Sequence, residues 1–373
     1  MEFEFCDAPL IDELKQRLLL INQDSEVSSI LILAADGNNY DPVLIDPILR
    51  AIEKPLFGGI FPGLIFQQKK FEKGFIIIKF KLHTDVELIE NISLPATDFN
   101  DQLLNLSDRL TTNTKSLFVF IDGFSKRTNH FIDSIFMTMG LEYNYIGGGC
   151  GSLSLEQKPC IFSNKGLLQD SAIIAAFDLE SGIGVSHGWS SLAGPFKVTA
   201  SEGTCVKELD YKPAFEVYKS VLNREKSTGI TPDNFFSIAK SFPFGIHKLD
   251  AEKVIRDPIA VGLNNSLLCV GEVEVGSFLH IMNGNKEDLI KAARNATIMA
   301  IANKGEPPKN LLFLVDCVSR VLFLEDDFYL ELEEVSSECN HLPLLGVLSI
   351  GEIADNKKDY LEFHNKTSVV GCF

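Results

Sequence analysis

The stretch GVSHGWSSLAGPFKVTASEG places His187 two positions before Trp189, the only tryptophan of the chain. A neutral imidazole is a good iron ligand, and a neighbouring indole can flank a flat macrocycle. The same pair also reads as a plain loop, with the imidazole on a backbone carbonyl and the indole plugging an interface. Two further histidines compete for an axial role. His280, in GSFLHIM, shares one strand face with Phe278 and Met282, an apolar setting that suits a cofactor or a core equally. His364 stands in FHNKT beside Asn365. His187 is the first choice for iron, with His280 and His364 behind it; with no CxxCH in the chain, covalent c-type attachment of haem is excluded.

Other residues offer different chemistry. Cys317 ends an apolar run three positions before Arg320; a thiolate beside a guanidinium is reactive, whereas a buried thiol is a small hydrophobe. Arg320 itself suits the anchoring of a carboxylate or propionate, because the guanidinium is a planar two-toothed donor. Arg256 in VIRDP has the same capacity unless Asp257 occupies it. Glu352 follows Gly351, where a missing Cβ admits a ligand or another backbone, and it can receive an amine or pair with Arg320. GGGCGS lacks the Lys-Ser/Thr ending of a phosphate loop and precedes a strand; its glycines read as a tight turn, and Ser152 has no nucleophile-elbow pattern around it.

The elements that position these groups follow a pattern written three times. Strands beginning near Ile30, Leu117 and Leu311 each lead through a helix to a glycine turn at Gly58, Gly147 and Gly346. Each unit then closes on another strand, FIIIKF, SAIIAAF and KTSVVGCF. The leading strands are unbroken apolar runs, as in a sheet covered on both faces. The helices are amphipathic, with Leu44, Ile48 and Ile52 on one face and Phe131, Ile135 and Met139 on another. Repeated β-α-β-β units predict an α/β fold of two domains, with sheets covered by helices. Residues 1–25 read as an N-terminal helix, and the domain boundary is expected near residue 225, giving domains of 26–225 and 226–373. Between the second and third units the texture changes to short strands and turns, then a helix at KPAFEVYKSVLN.

Composition sets the outer bounds. The chain of 373 residues is 45% hydrophobic and 23% charged, which suits a large buried core. A formal charge of −17 without basic runs argues against nucleic acid and anionic membrane surfaces, both of which require clustered Lys and Arg. No segment reaches the about 18 apolar residues of a membrane span. The acidic N-terminus lacks a signal-peptide pattern, and the eight scattered cysteines suit reduced thiols in the cytoplasm.

On these residues the chain resembles the FIST-domain sensory proteins. GWSSLAGPFKVTASEGTCVKELDYKPAFEVY is similar to the end of the family's N-terminal domain. SFPFGI, VIRDPIAV, LLFLVDCVSR, LLGVLSIGEI and FHNKTSVV are similar to successive landmarks of its C-terminal domain, so the likeness runs from about residue 26 to 373. The resemblance implies a small-molecule ligand, no catalysis, and a signalling partner such as a histidine kinase or a cyclase. One bacterial subset binds haem and senses nitric oxide as a stand-alone protein beside a histidine kinase in a two-component system. This chain, with about 25 residues before its first unit, is expected to be stand-alone as well. The expected ligand-binding residues are Trp189, Arg256, Arg320, Glu352 and Asn365. Rival expectations are a sensor of another small molecule such as an amino acid, and an enzyme using the Cys317 thiol.

Overall fold

The computed structural model describes the whole chain except residues 228, 249–251, 340 and 356–359. Its first unit runs β1 (Glu2–Cys6), α1 (Ile11–Gln23), β2 (Ser29–Ala35), α2 (Pro42–Arg50), β3 (Leu56–Phe61), β4 (Gly63–Phe66), β5 (Lys69–Phe71) and β6 (Phe75–Phe80). The second repeats that order: β7 (Thr84–Glu90), α3 (Asn100–Arg109), β8 (Ser116–Asp122), α4 (Thr128–Met139), β9 (Asn144–Cys150), β10 (Ile161–Ser163), β11 (Gly166–Leu168) and β12 (Ser171–Phe177).

The third unit opens with β13 (Gly182–Ser186) and is then interrupted. The interruption holds β14 (Ser190–Glu202), β15 (Cys205–Leu209), β16 (Lys212–Pro213), α5 (Ala214–Lys226), α6 (Phe235–Ala239), β17 (Phe244–Ile246), β18 (Val254–Val261), β19 (Leu267–Val270) and β20 (Phe278–Asn283). The unit resumes with α7 (Lys286–Lys304), β21 (Leu312–Cys317), α8 (Val318–Leu324), α9 (Phe328–Ser337), β22 (Leu344–Ser349), β23 (Glu352–Asp355), β24 (Leu361–His364) and β25 (Ser368–Cys372). The fold is α/β, and the 25 residues expected to form a helix also supply an edge strand, β1.

The three units build three sheets of one design, and each lends a hairpin to a neighbour. The orders are β1-β6-β2-β3-β10-β11, β7-β12-β8-β9-β23-β24 and β13-β25-β21-β22-β4-β5. In each, only the central pair is parallel: β2 with β3, β8 with β9, and β21 with β22. The first unit's hairpin β4–β5 thus completes the third sheet, the second's completes the first, and the third's completes the second.

Strand alternation explains the packing. On β8, Leu117, Val119 and Ile121 face α3 and α4, while Phe118 and Phe120 face the centre of the molecule. Leu312 and Leu314 face the helices of the third unit, and Phe313 faces inward. The rings of Phe118 and Phe313 meet edge-on at 5.4 Å, and Phe118 also stacks on Phe373 at 5.6 Å. Aromatic rings therefore fill the space where the three sheets converge.

The glycines expected to form turns lie instead inside the second parallel strand. A Cβ on Gly58, Gly147 or Gly346 would lie 1.9, 1.7 or 2.1 Å from the carbonyl oxygen of Ile32, Val119 or Leu314. Close approach of the paired backbone, not chain reversal, demands glycine there.

The inserted segment is a second body. Strand β14 pairs with β20 on one side and β15 on the other, closing β14-β20-β17-β18-β19-β15 into an antiparallel barrel. What reads in sequence as short strands and turns is one long strand, β14. Its register with β20 shifts between Ala193 and Phe196, where Gly194 and Pro195 interrupt the pairing. Helix α5 contributes Phe215, Tyr218, Val221 and Leu222 to the barrel's apolar core.

Candidate functional site

In open α/β sheets, ligands sit outside the carboxyl ends of the parallel strands. The repeat supplies three such ends. At the first, Asp36 accepts a hydrogen bond from Ser152 at 2.5 Å. At the second, Asp122 is fully buried and accepts from Gln157 Nε2 and from the backbone N–H groups of Asp170 and Phe124. Both ends are closed by the protein's own side chains.

The third end is open. Beyond Cys317 lies a cavity of about 260 Å³ enclosed by three parts of the molecule. Phe124, Leu153 and Leu155 come from loops of the second unit; Phe236, Ile259 and Val270 come from the barrel; Val318, Leu322 and Ile350 come from the third unit. Its polar lining is small and buried. Asp257 and Asn365 are each 1% exposed. Asp257 Oδ2 accepts from Ser319 Oγ at 2.7 Å and pairs with Lys366 Nζ at 3.1 Å. Asn365 Nδ2 donates to the carbonyl of His364 at 2.9 Å. The second oxygen of Asp257 and the amide oxygen of Asn365 have no hydrogen-bond partner among the described residues.

Beneath this lining lies Glu352, fully buried, which accepts from Ser349 Oγ at 2.6 Å and from the N–H of Thr367 at 3.3 Å. Burial pushes its carboxyl up to about 8. The Cys317 thiol is likewise pushed far up, first by burial and then by Glu352. It is held as a neutral thiol, contrary to a thiolate activated by Arg320.

The remaining expected residues are distributed differently. Arg320 is fully buried and all five of its N–H groups are engaged. They reach both oxygens of Glu331 and the carbonyls of His187, Leu289 and Lys366, and Nε also lies 3.2 Å from Asp316. It has no donor left for a ligand carboxylate. Trp189 donates its indole N–H to the Lys366 carbonyl and packs edge-on against Phe323, filling a core position away from the cavity. Arg256 and Asp257 are successive residues of β18, so their side chains leave opposite faces and Asp257 does not occupy Arg256. Arg256 binds the carbonyls of Glu272, Ile255 and Phe363 and lines a separate cavity of about 270 Å³, with Asp133, Glu272, Glu274 and Glu362. Of the expected ligand residues, only Asn365 lines the interdomain cavity, with Glu352 just beneath. Ser319 and Lys366 escaped the sequence reading, and Asp257 was considered there only as a partner for Arg256, although an acid beside Pro258 in an apolar strand was a visible signal.

The histidines do not fit haem at the first-choice position. His187 Nδ1 accepts the N–H of Trp189 at 2.8 Å, so a neutral ring carries its proton on Nε2. That nitrogen has no lone pair for iron and faces Glu252 at 3.3 Å. His187 and His364 share a cavity of about 120 Å³ with the charged side chains of Lys248, Glu252, Lys253 and Glu362, a poor bed for a macrocycle. His280 is half-buried on the barrel's outer face, beside His247.

These groups give stability a defined pH dependence. Burial draws His187 down to about 3 and His364 to about 4 from 6.5, so the folded protein keeps both neutral where the unfolded chain takes up protons. Their contribution is fully present above about pH 6.5 and lost as pH falls toward 4, at up to about 1.4 kcal/mol per pH unit for each. Glu352 acts oppositely: its contribution is present below its unfolded value of 4.5 and lost as pH rises through about 8. Urea midpoints measured from pH 4 to 9 should fall steeply on the acid side. From about pH 4.5 to 6.5 Glu352 offsets one of the two histidines, so His364→Gln should remove most of the acid-side slope, and Glu352→Gln should steepen that slope and flatten the decline above about pH 6.5. An unchanged acid slope in His364→Gln would refute the assignment.

Comparison with known proteins adds two findings. Family models match residues 29–212 as a FIST N domain and residues 214–355 as a FIST C domain. An uncharacterized protein of Methanocaldococcus jannaschii is 28% identical over 217 residues, an alignment covering 52% of this chain and 40% of that relative. The match thus spans less than half the length of that curated relative.

Proposed function

Because the chain belongs to the FIST-domain family and carries both of its domains in order, we propose that it senses a small molecule in the cavity between the barrel and the third parallel strand pair. FIST domains are small-ligand-sensing signalling domains. The observation that carries the placement is the pair of buried acceptors, Asp257 Oδ1 and Asn365 Oδ1, left open in an otherwise apolar cavity. A buried polar atom without a partner is costly, and a ligand donor relieves that cost.

The cavity walls come from the barrel and from two units of the three-sheet body. A ligand touching all of them favours one placement of the barrel over others, and only such differential contact shifts a conformational equilibrium. In our reading that placement is what a separate partner, such as a histidine kinase or a cyclase, detects. No haem is assigned to His187, for the reason of tautomer given above. Binding is favoured over turnover because Cys317 is a protonated wall of the cavity rather than a nucleophile.

A thermal-shift screen of small molecules against the full chain tests the placement. A ligand at a hundred times its Kd should stabilise the wild type by about 2.7 kcal/mol. Leu322→Trp, which fills the cavity, should abolish that gain, whereas Cys317→Ser should keep it. Hits that survive Leu322→Trp would place the ligand elsewhere, and a loss of hits confined to Cys317→Ser would favour the thiol enzyme.

A further inference from the structure

Resting on that placement, we infer that the ligand is an uncharged, largely apolar molecule that presents an N–H or O–H donor, and that free amino acids and other carboxylates are poor ligands. The polar atoms at the cavity are unbalanced in one direction. Both open atoms are acceptors, Asp257 Oδ1 and Asn365 Oδ1. The nearby donors are already engaged: Ser319 Oγ and Lys366 Nζ both serve Asp257 Oδ2, and Lys366 Nζ also donates to the carbonyl of Lys240. The buried side-chain atoms left without a partner at the site, among the described residues, therefore ask for donors.

Charge narrows the class further. The Asp257–Lys366 pair sums to zero and is fully buried. Cys317 and Glu352, with pKa values raised by burial, add no charge near neutral pH. A ligand carboxylate would meet two acceptor oxygens and no free cation. An ammonium would find acceptors but no uncompensated negative charge to replace its hydration. Water is a poor occupant, since a buried water seeks two to four polar partners and the walls are mostly Phe, Leu, Ile and Val. An apolar body with a neutral donor matches both parts of the site.

Four probes on one scaffold separate these possibilities: indole, 1-methylindole, tryptamine and indole-3-acetate, titrated calorimetrically into the full chain and into Leu322→Trp. Indole should bind tightest. Methylating its nitrogen should weaken binding about tenfold, and the charged probes should bind weakest. Asn365→Leu should weaken indole several-fold and leave 1-methylindole unchanged. If tryptamine or indole-3-acetate binds tightest, or 1-methylindole equals indole, while Leu322→Trp still blocks binding, the ligand class is wrong and the cavity remains the site. If none of the four binds, or Leu322→Trp binds them like the wild type, the placement itself falls.

Discussion

Replacing Arg320 with leucine is expected to remove about 3–5 kcal/mol of stability, because it strands buried carboxylates whose partner has gone. Arg320 joins five places in the chain: Asp316 at the end of β21, Glu331 on α9, and the carbonyls of His187, Leu289 and Lys366. It fixes the exit from β13, the start of α7 and the turn before β25 around one guanidinium. The loss should appear as a lower urea midpoint with little change in slope. Arg320→Leu combined with Glu331→Leu should recover at least half of it, since one of the two stranded carboxylates is removed as well. A single-variant loss below about 1 kcal/mol would mean that the buried charges are solvated by other means.

Gly147→Ala should be at least as damaging. The added carbon would lie 1.7 Å from the carbonyl oxygen and 2.6 Å from the carbonyl carbon of Val119. Both atoms are backbone, held in the parallel pair of β8 and β9, and β9 is pinned on its other side by β23. No rotamer change relieves the clash, so the strands must part; a loss above about 4 kcal/mol, at the extreme of single substitutions, is expected. Gly305→Ala is the fitting control. That glycine has φ +77 with nothing within 4 Å of the added carbon, so only backbone strain opposes the change, at about 1 kcal/mol. Yields of folded protein and urea midpoints for the two variants decide the matter. Equal losses would show that the paired backbone yields to the added carbon.

The triplicated pattern was legible because its signals are local. The apolar runs of β2, β8 and β21 and the amphipathic faces of α2 and α4 need only neighbouring residues to be seen. The exchange of hairpins was not legible, because β4 pairs with β22 and β10 with β3, and nothing near β4 encodes so distant a partner. The barrel was obscured differently. Its strands are mostly short, β14 is half-exposed or exposed everywhere but Val198, and a register shift at Gly194 and Pro195 breaks the alternation that marks a strand.

The site was partly legible. Asn365 stood in a recognisable motif, and Glu352 was noticed through Gly351. Arg320 was singled out for the right chemistry and the wrong client: its planar donor set serves the protein's own carboxylates and carbonyls. His187 and Trp189 attracted attention as a ligand pair, yet the Trp189 N–H fixes the imidazole and its indole fills a core. Which donors and acceptors remain open depends on contacts between residues far apart in the chain, and no spacing rule supplies that.

The borrowed hairpins also set a timetable for synthesis. Strand β4 leaves the ribosome roughly 280 residues before β22, its partner, which at about 5–20 residues per second is a wait of roughly 14–56 s. During that interval an apolar strand edge is open to other nascent chains, so chaperone attendance and slow translation matter more than for a protein whose strands pair with their neighbours. For the same reason a chain severed between the two family matches, near residue 213, yields halves that each lack strands held by the other. The units that heredity copies are not the units that fold.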